Sequence, residues 1–207
     1  MGRPCLIDGA EPQGEGCRYA AIVPRIGEWK KSAVNKTEFR NALDAPWTSM
    51  TPVRVGQVHL GVGTPATHVT VDHDGAPVLR VDVFESEPAA HAFQDALKWR
   101  DFVVIGFGSH VHLVSLTTRS SSSFALDGYF GHLYPIDDKL LVADAERLRC
   151  FDDDGSPIWT SVPLGLDGVL VHRVGAGVVE GEGEWDPPGG WRAFRLLLSS
   201  GQPLPER

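Results

Sequence analysis

Cysteine is scarce in this chain: Cys5, Cys17 and Cys150 are odd in number, widely spaced and form no C-x-x-C pair. The pattern offers neither a disulfide framework nor a cysteine zinc site, and it fits reduced thiols. No stretch approaches the roughly 20 apolar residues with which a helix crosses a bilayer. The segment Met1 to Cys17 lacks the apolar core of a secretory signal, and Leu6 stands where an N-myristoylation signal wants Ser or Thr. Basic charge is short as well: 19 Lys and Arg face 27 Asp and Glu, a formal net charge of -8. Nucleic acids and anionic membranes both select a basic face that displaces counterions, so neither is an expected partner. The expectation is an acidic, soluble, cytoplasmic protein.

Catalytic signatures are missing too. Gly61-Val62-Gly63-Thr64 lacks the Lys and the spacing of a phosphate loop, and no G-x-S-x-G elbow is present. Asp152-Asp153-Asp154-Gly155 would need oxygen ligands at alternate positions and a closing Glu to hold calcium, but Cys150 and Ser161 occupy the first and last positions of such a loop. It reads as a turn. No catalytic residue is assigned, no cofactor is expected, and a non-enzymatic role is favoured.

What the chain does contain is a recurring strand. Phe102-Val103-Val104-Ile105, Leu140-Leu141-Val142 and Gly177-Val178-Val179 recur at offsets of 37 residues, within the range of propeller blades and solenoid units. Upstream, residues 1–50 form a Gly/Pro-rich arm with one short helical pattern, Thr37 to Leu43. Residues 53–84 alternate as strands around Asp74-Gly75, a hairpin signal. Residues 87–99 read as an inserted helix, with Ser86 as N-cap, Pro88 in the first turn and Ala89, Phe93, Ala96 and Leu97 on one stripe. Residues 101–204 then carry three strand repeats, so that residues 1–207 make one all-β domain. The fold expected is a small or incomplete β-propeller-like repeat with one inserted α-helix; the alternative is a twisted β-sandwich. An open ring of such units leaves edges to be covered by the arm, by the helix or by a second copy of the chain as a homodimer.

The central repeat shows a strand, then Phe151-Asp152-Asp153-Asp154-Gly155, then Trp159. It resembles the blade signature of quinoprotein-type (PQQ-like) β-propeller repeats, over residues 101–204. The last unit echoes it with Leu198-Ser199-Ser200-Gly201; the first, around Val114 to Phe124, lacks the turn glycine, and the third carries GEGEWDPPGG between its strands. The resemblance implies the blade fold and is not extended to the quinone.

Three groups of side chains invite functional readings. His110 and His112 stand at i and i+2, so on a strand their imidazoles share a face and make the alternative reading, a metal-dependent enzyme, with His59, His68, His132 or His172 as third ligand. One repeat later the same positions are Arg147 and Arg149, which reads as a polar outer face. Glu180, Glu182 and Glu184 alternate among glycines and read as a solvated loop rather than an acid–base pair. Trp185 and Trp191 sit in a Gly/Pro frame beside Arg192 and Arg195, the residue types that anchor interfaces. Trp185, Trp191 and Arg192 are therefore the expected binding residues of a non-catalytic module that recognises a protein or a small ligand through its loops.

Overall fold

The computed structural model describes residues 35–57, 63–85, 93–187 and 189–205. Fifteen strands form four small sheets among them. The first sheet holds β1 (Asn35–Arg40), β2 (Val53–Gly56), β3 (Thr67–His73) and β4 (Ala76–Phe84), in the spatial order β1-β3-β4-β2. The second runs as a meander through β5 (Gln94–Trp99), β6 (Phe102–Phe107), β7 (His110–Ser115) and β8 (Ser121–Ala125). The third repeats that meander with β9 (Phe130–Ile136), β10 (Lys139–Asp144), β11 (Leu148–Phe151) and β12 (Pro157–Thr160). The fourth has three strands, β13 (Val169–Gly175), β14 (Val178–Glu184) and β15 (Trp191–Leu197). The apolar runs at 37-residue offsets fall on β6, β10 and the start of β14, each second in its sheet.

Apolar alternation explains how the sheets stack. Along β6, Val103, Ile105 and Phe107 face a core shared with the first sheet, while Val104 faces a core shared with the third. Along β10, Leu140 and Val142 face back toward the second sheet, and Leu141 and Ala143 face forward to the fourth. The second and third sheets thus bury both faces, and their central strands read as continuous hydrophobic runs. The first and last sheets bury one face each. The far face of the first carries His68 and Arg80 on Asp82, with Arg80 bidentate at 2.8 and 2.9 Å. That of the fourth carries Arg173 and Arg195 on Glu180 and His172 on Glu182. Among the described residues these two faces share no apolar core, so the four sheets form an open stack. Its last edge is blunted where Pro203 bridges Leu196 of β15, since proline offers no donor to a further strand.

Successive sheets are also laced at one end by backbone bonds. Leu126 and Phe130 donate to Ser109 and Gly108, Ala145 to Tyr129, Gly168 to Ala145 and Glu184 to Gly168, all between 2.7 and 3.1 Å. The first sheet runs the other way. Phe39 at the end of β1 stacks on Phe107 at the end of β6, and Glu85 after β4 meets the β6–β7 turn at Gly108, whereas Arg119 in the β7–β8 turn donates to Val78 near the start of β4. The β3–β4 turn therefore lies at the opposite end from the β6–β7 turn, and β2 pairs parallel to β4.

Two helical readings are corrected. Thr37 to Arg40 lies in β1, paired along its length with β3, and a single 3-10 turn follows at Trp47–Ser49. Of the helix expected over 87–99, residues 94–99 are strand β5, paired with β6 from Gln94↔Phe107 to Trp99↔Phe102; residues 86–92 lie outside the described residues. The stripe misleads because its neighbours Ala96 and Leu97 lie on opposite faces of β5: Ala96 packs toward the first sheet, Leu97 and Trp99 toward the third. The Asp74-Gly75 hairpin forms as read, both residues left-handed at φ 50° and 81°. The repeat without a turn glycine places Arg119 at φ 61° in the β7–β8 turn, where the β11–β12 turn has Gly155 at 82° and the turn after β15 has Gly201 at 68°. A left-handed conformation costs a side-chain-bearing residue about 1 kcal/mol.

Trp159 shows what the tryptophan of the signature does here: its indole donates to Leu198 O at 2.9 Å and its ring covers Gly201, tying the third sheet to the fourth. A Cβ on Gly106 would collide with the Phe130 ring across the second and third sheets. Gly106→Ala is expected to lower the unfolding free energy by about 1–3 kcal/mol in urea denaturation followed by tryptophan fluorescence, while Leu141→Ala, fully buried between the third and fourth sheets, is expected to cost about 2–5 kcal/mol.

Candidate functional site

The β14–β15 hairpin brings the three expected binding residues together. Glu184 pairs with Trp191 and Gly183 with Arg192. The reversal beyond them is closed by Trp185 N to Gly190 O at 3.0 Å, Gly190 N to Asp186 O at 2.9 Å and Gly189 N to a Glu184 carboxylate oxygen at 2.6 Å. Arg192 lies with its guanidinium 5.6 Å from the centre of the Trp185 ring, a cation–π contact worth about 0.5–1 kcal/mol at an exposed site. Trp185 is half-buried under that cap, whereas Trp191 is 38% exposed.

Trp191 does not stand alone. Its ring edge covers Gly168, where a Cβ would sit 3.3 Å from Cη2. The same loop carries Leu166, 55% exposed, whose amide donates to Glu184 O at 2.7 Å. Asp167 next to it accepts the Tyr129 hydroxyl at its carbonyl (2.6 Å) and its carboxylate (3.0 Å). Burial and that bond push the Tyr129 hydroxyl up to about 12, so it remains a donor. Phe93, 44% exposed, stacks on Tyr129 at 5.9 Å and touches His132 at 5.6 Å. At one end of the stack Phe93 stacks on Tyr129, Tyr129 donates to Asp167, Trp191 covers Gly168 in the same loop as Asp167, and Arg192 lies on Trp185. Sequence reasoning found the hairpin and missed Phe93, Tyr129 and Leu166, which reach it from the segments leading into β5, β9 and β13.

The His110 and His112 rings do share a face, parallel within 5° at 5.8 Å. Their surroundings correct the outer-face reading: His112 is fully buried, its side chain on the flank of β7 that faces the first sheet. Its Nδ1 meets the Ser123 hydroxyl at 2.8 Å, and its Nε2 has no hydrogen-bond partner among the described residues. Burial, with His110 nearby, pushes its pKa down to about 4. Glu85 lies 4.0 Å from His110 Nδ1. The equivalent arginines fill the next gap between sheets, Arg149 on Asp127 at 2.9 Å and near the buried Asp144, with Arg147 also on Asp127. The described residues hold no group of three potential metal ligands. His68 is engaged by Asp82, His172 by Glu182, and His132 lies in the Phe93 cluster; His59 lies outside the described residues. Of the cysteines, Cys150 is buried and free, its thiol pushed up to about 12 by burial, and Cys5 and Cys17 lie outside the described residues.

The glutamates are corrected as well. They lie on strand β14 rather than in a loop, and each is partnered: Glu180 by Arg173 and Arg195, Glu182 by His172, Glu184 by the Gly189 amide. The intervening Gly181 and Gly183 face the Leu170 and Leu164 carbonyls, where no Cβ fits.

The burial of His112 makes stability depend on pH. Its folded pKa lies below its unfolded value of about 6.5, so the unfolded chain binds the extra proton, and stability falls as pH falls from about 6.5 to about 4. An NMR titration of the imidazole protons is expected to place the His112 midpoint near 4. His112→Gln is expected to flatten the pH dependence of the unfolding midpoint over that window, leaving the part due to His132, which burial also lowers.

Compared with known families and with curated proteins, the chain matches no family model and no curated sequence.

Proposed function

We propose that the protein is a non-catalytic binding module, a small, incomplete propeller-like stack of blades that recognises a partner through the loops at one end. The observation that carries this reading is the run of exposed apolar and aromatic side chains around the β14–β15 hairpin: Trp191, Leu166 and Phe93 at 38, 55 and 44% exposure, with Arg192 stacked on Trp185. Burying a large aromatic side chain yields about 1.5–3 kcal/mol, so a folded surface that leaves several apolar side chains exposed at one end fits a partner that covers them. Trp and Arg are the types that most often carry interface energy. Their scaffold favours the same reading: these side chains stand on loops held by laced backbone bonds, which lowers the ordering cost of binding.

The blade reading draws on the two meanders and the three-stranded sheet, whose first strands lie side by side in space, β5 against β9 and β9 against β13. The first sheet, reversed in direction and closed by a parallel β2, is what makes the propeller incomplete. A second reading, a metal-dependent enzyme using His110 and His112, is favoured by the unpartnered His112 Nε2 and weakened by the lack of a third ligand among the described residues.

The test is affinity capture from the native cell extract by wild-type protein and by a Trp191→Ala/Arg192→Ala variant, read by quantitative mass spectrometry. A partner of the loop end is expected to fall at least about tenfold in the variant, a loss near 1.4 kcal/mol, with the unfolding midpoint little changed because both side chains are exposed. Captured species that do not respond to the substitutions would contradict the reading.

A further inference from the structure

At the end of the stack opposite the tryptophan hairpin, the β7–β8 turn and the starts of β2 and β4 enclose a cleft of about 650 Å³, the size of a site for a small organic ligand. In a chain with a net charge of -8, the residues lining it include three arginines, Arg54, Arg80 and Arg119, and no carboxylate. The three are not equivalent. Arg80 is neutralised by its bidentate pair with Asp82, and its Nη1 donates to the Trp47 and Met50 carbonyls at 3.3 and 3.5 Å; it serves as a fixed wall. Arg119 is anchored by one bond from Nη2 to Val78 O at 2.9 Å and has no carboxylate partner. Arg54 is exposed, and its side chain makes no hydrogen bond or ion pair among the described residues. Ser121 adds an exposed hydroxyl beside Arg119.

The backbone supplies a separate observation. Arg119 holds the left-handed position that Gly155 and Gly201 hold in the corresponding turns. Its side chain stands where the backbone would be relaxed by glycine, and strained residues of this kind concentrate at binding sites. Two arginines without carboxylate partners that line one cleft together with Ser121, Val53 and Leu79 suit planar oxyanions, which arginine grips through paired N–H donors.

We propose that this cleft binds a small ligand bearing a carboxylate or phosphate group, held by Arg54 and Arg119 with the Ser121 hydroxyl, its apolar remainder lying against Val53 and Leu79. The residues are separate from those of the aromatic end, so either site can fail while the other stands. The experiment titrates inorganic phosphate, citrate and, at matched ionic strength, chloride into the full chain, following amide and arginine Nε–H resonances by NMR. Saturable shifts at Arg54, Arg119 and Ser120–Ser121 with phosphate or citrate, and none with chloride, are expected; saturation by phosphate alone identifies a phosphoryl ligand, by citrate alone a carboxylate ligand, and by both a general oxyanion site. Arg54→Gln and Arg119→Gly are each expected to weaken the binding at least tenfold. Arg119→Gly should hold the thermal midpoint at or above that of the wild type, because glycine relaxes the turn, so its loss of binding does not come from unfolding. Shifts that never saturate, shifts matched by chloride, no shift at all, or saturable shifts that persist in the double variant would each overturn the proposal.

Discussion

The structure depends on one constraint: a thin sheet must have both of its faces accounted for. In the second and third sheets the account is apolar on both sides, so Val103, Val104 and Ile105, and again Leu140, Leu141 and Val142, are fully buried as unbroken runs. Such a sheet exposes two hydrophobic faces unless it is sandwiched. The stack must end somewhere, and it ends in charge: the Arg80–Asp82–His68 group at one limit and the Arg173–Glu180–Arg195 ladder at the other. The pairs on Glu180 are partly exposed and contribute little stability, whereas Asp82 is buried and depends on Arg80 and His68 to satisfy its charge.

The two proposed binding sites lie at opposite ends of the stack, on turns and on the strand ends beside them. One end gathers Phe93, Tyr129, Leu166, Trp185, Trp191 and Arg192; the other gathers Arg54 and Arg119 around a cleft. Between them, the histidine pair occupies the gap that the arginine–aspartate group fills one sheet later, a position at which a polar pair has to be satisfied inside the stack. His112 meets this by staying neutral and bonding Ser123.

How much was legible in the sequence depended on how local each feature is. The β6 and β10 runs and the Asp74-Gly75 turn were readable because a strand buried on both faces, and a type I′ turn, are written in consecutive residues. The segment Gln94–Trp99 was misread because Ala96 and Leu97 extend a helical spacing from Ala89 and Phe93, whereas pairing with β6 decides the outcome. Burial of His112 was not legible, since it is imposed by the first sheet, whose reversed direction no pattern announces. Glu180 to Glu184 looked like loop because of Gly181 and Gly183, yet those glycines mark the close approach of the Leu170 and Leu164 carbonyls. The arginine cleft draws on residues near 50, 80 and 120, and its single local trace was the turn glycine missing from the first repeat.

The most direct test of the central claim, a binding module whose histidine pair is structural, is a native mass spectrum of freshly purified, untagged protein. The account predicts a mass equal to that of the polypeptide alone, for the wild type and for His110→Ala alike. One metal ion per chain, lost when His110 or His112 is replaced, would contradict it and establish the pair as a metal site.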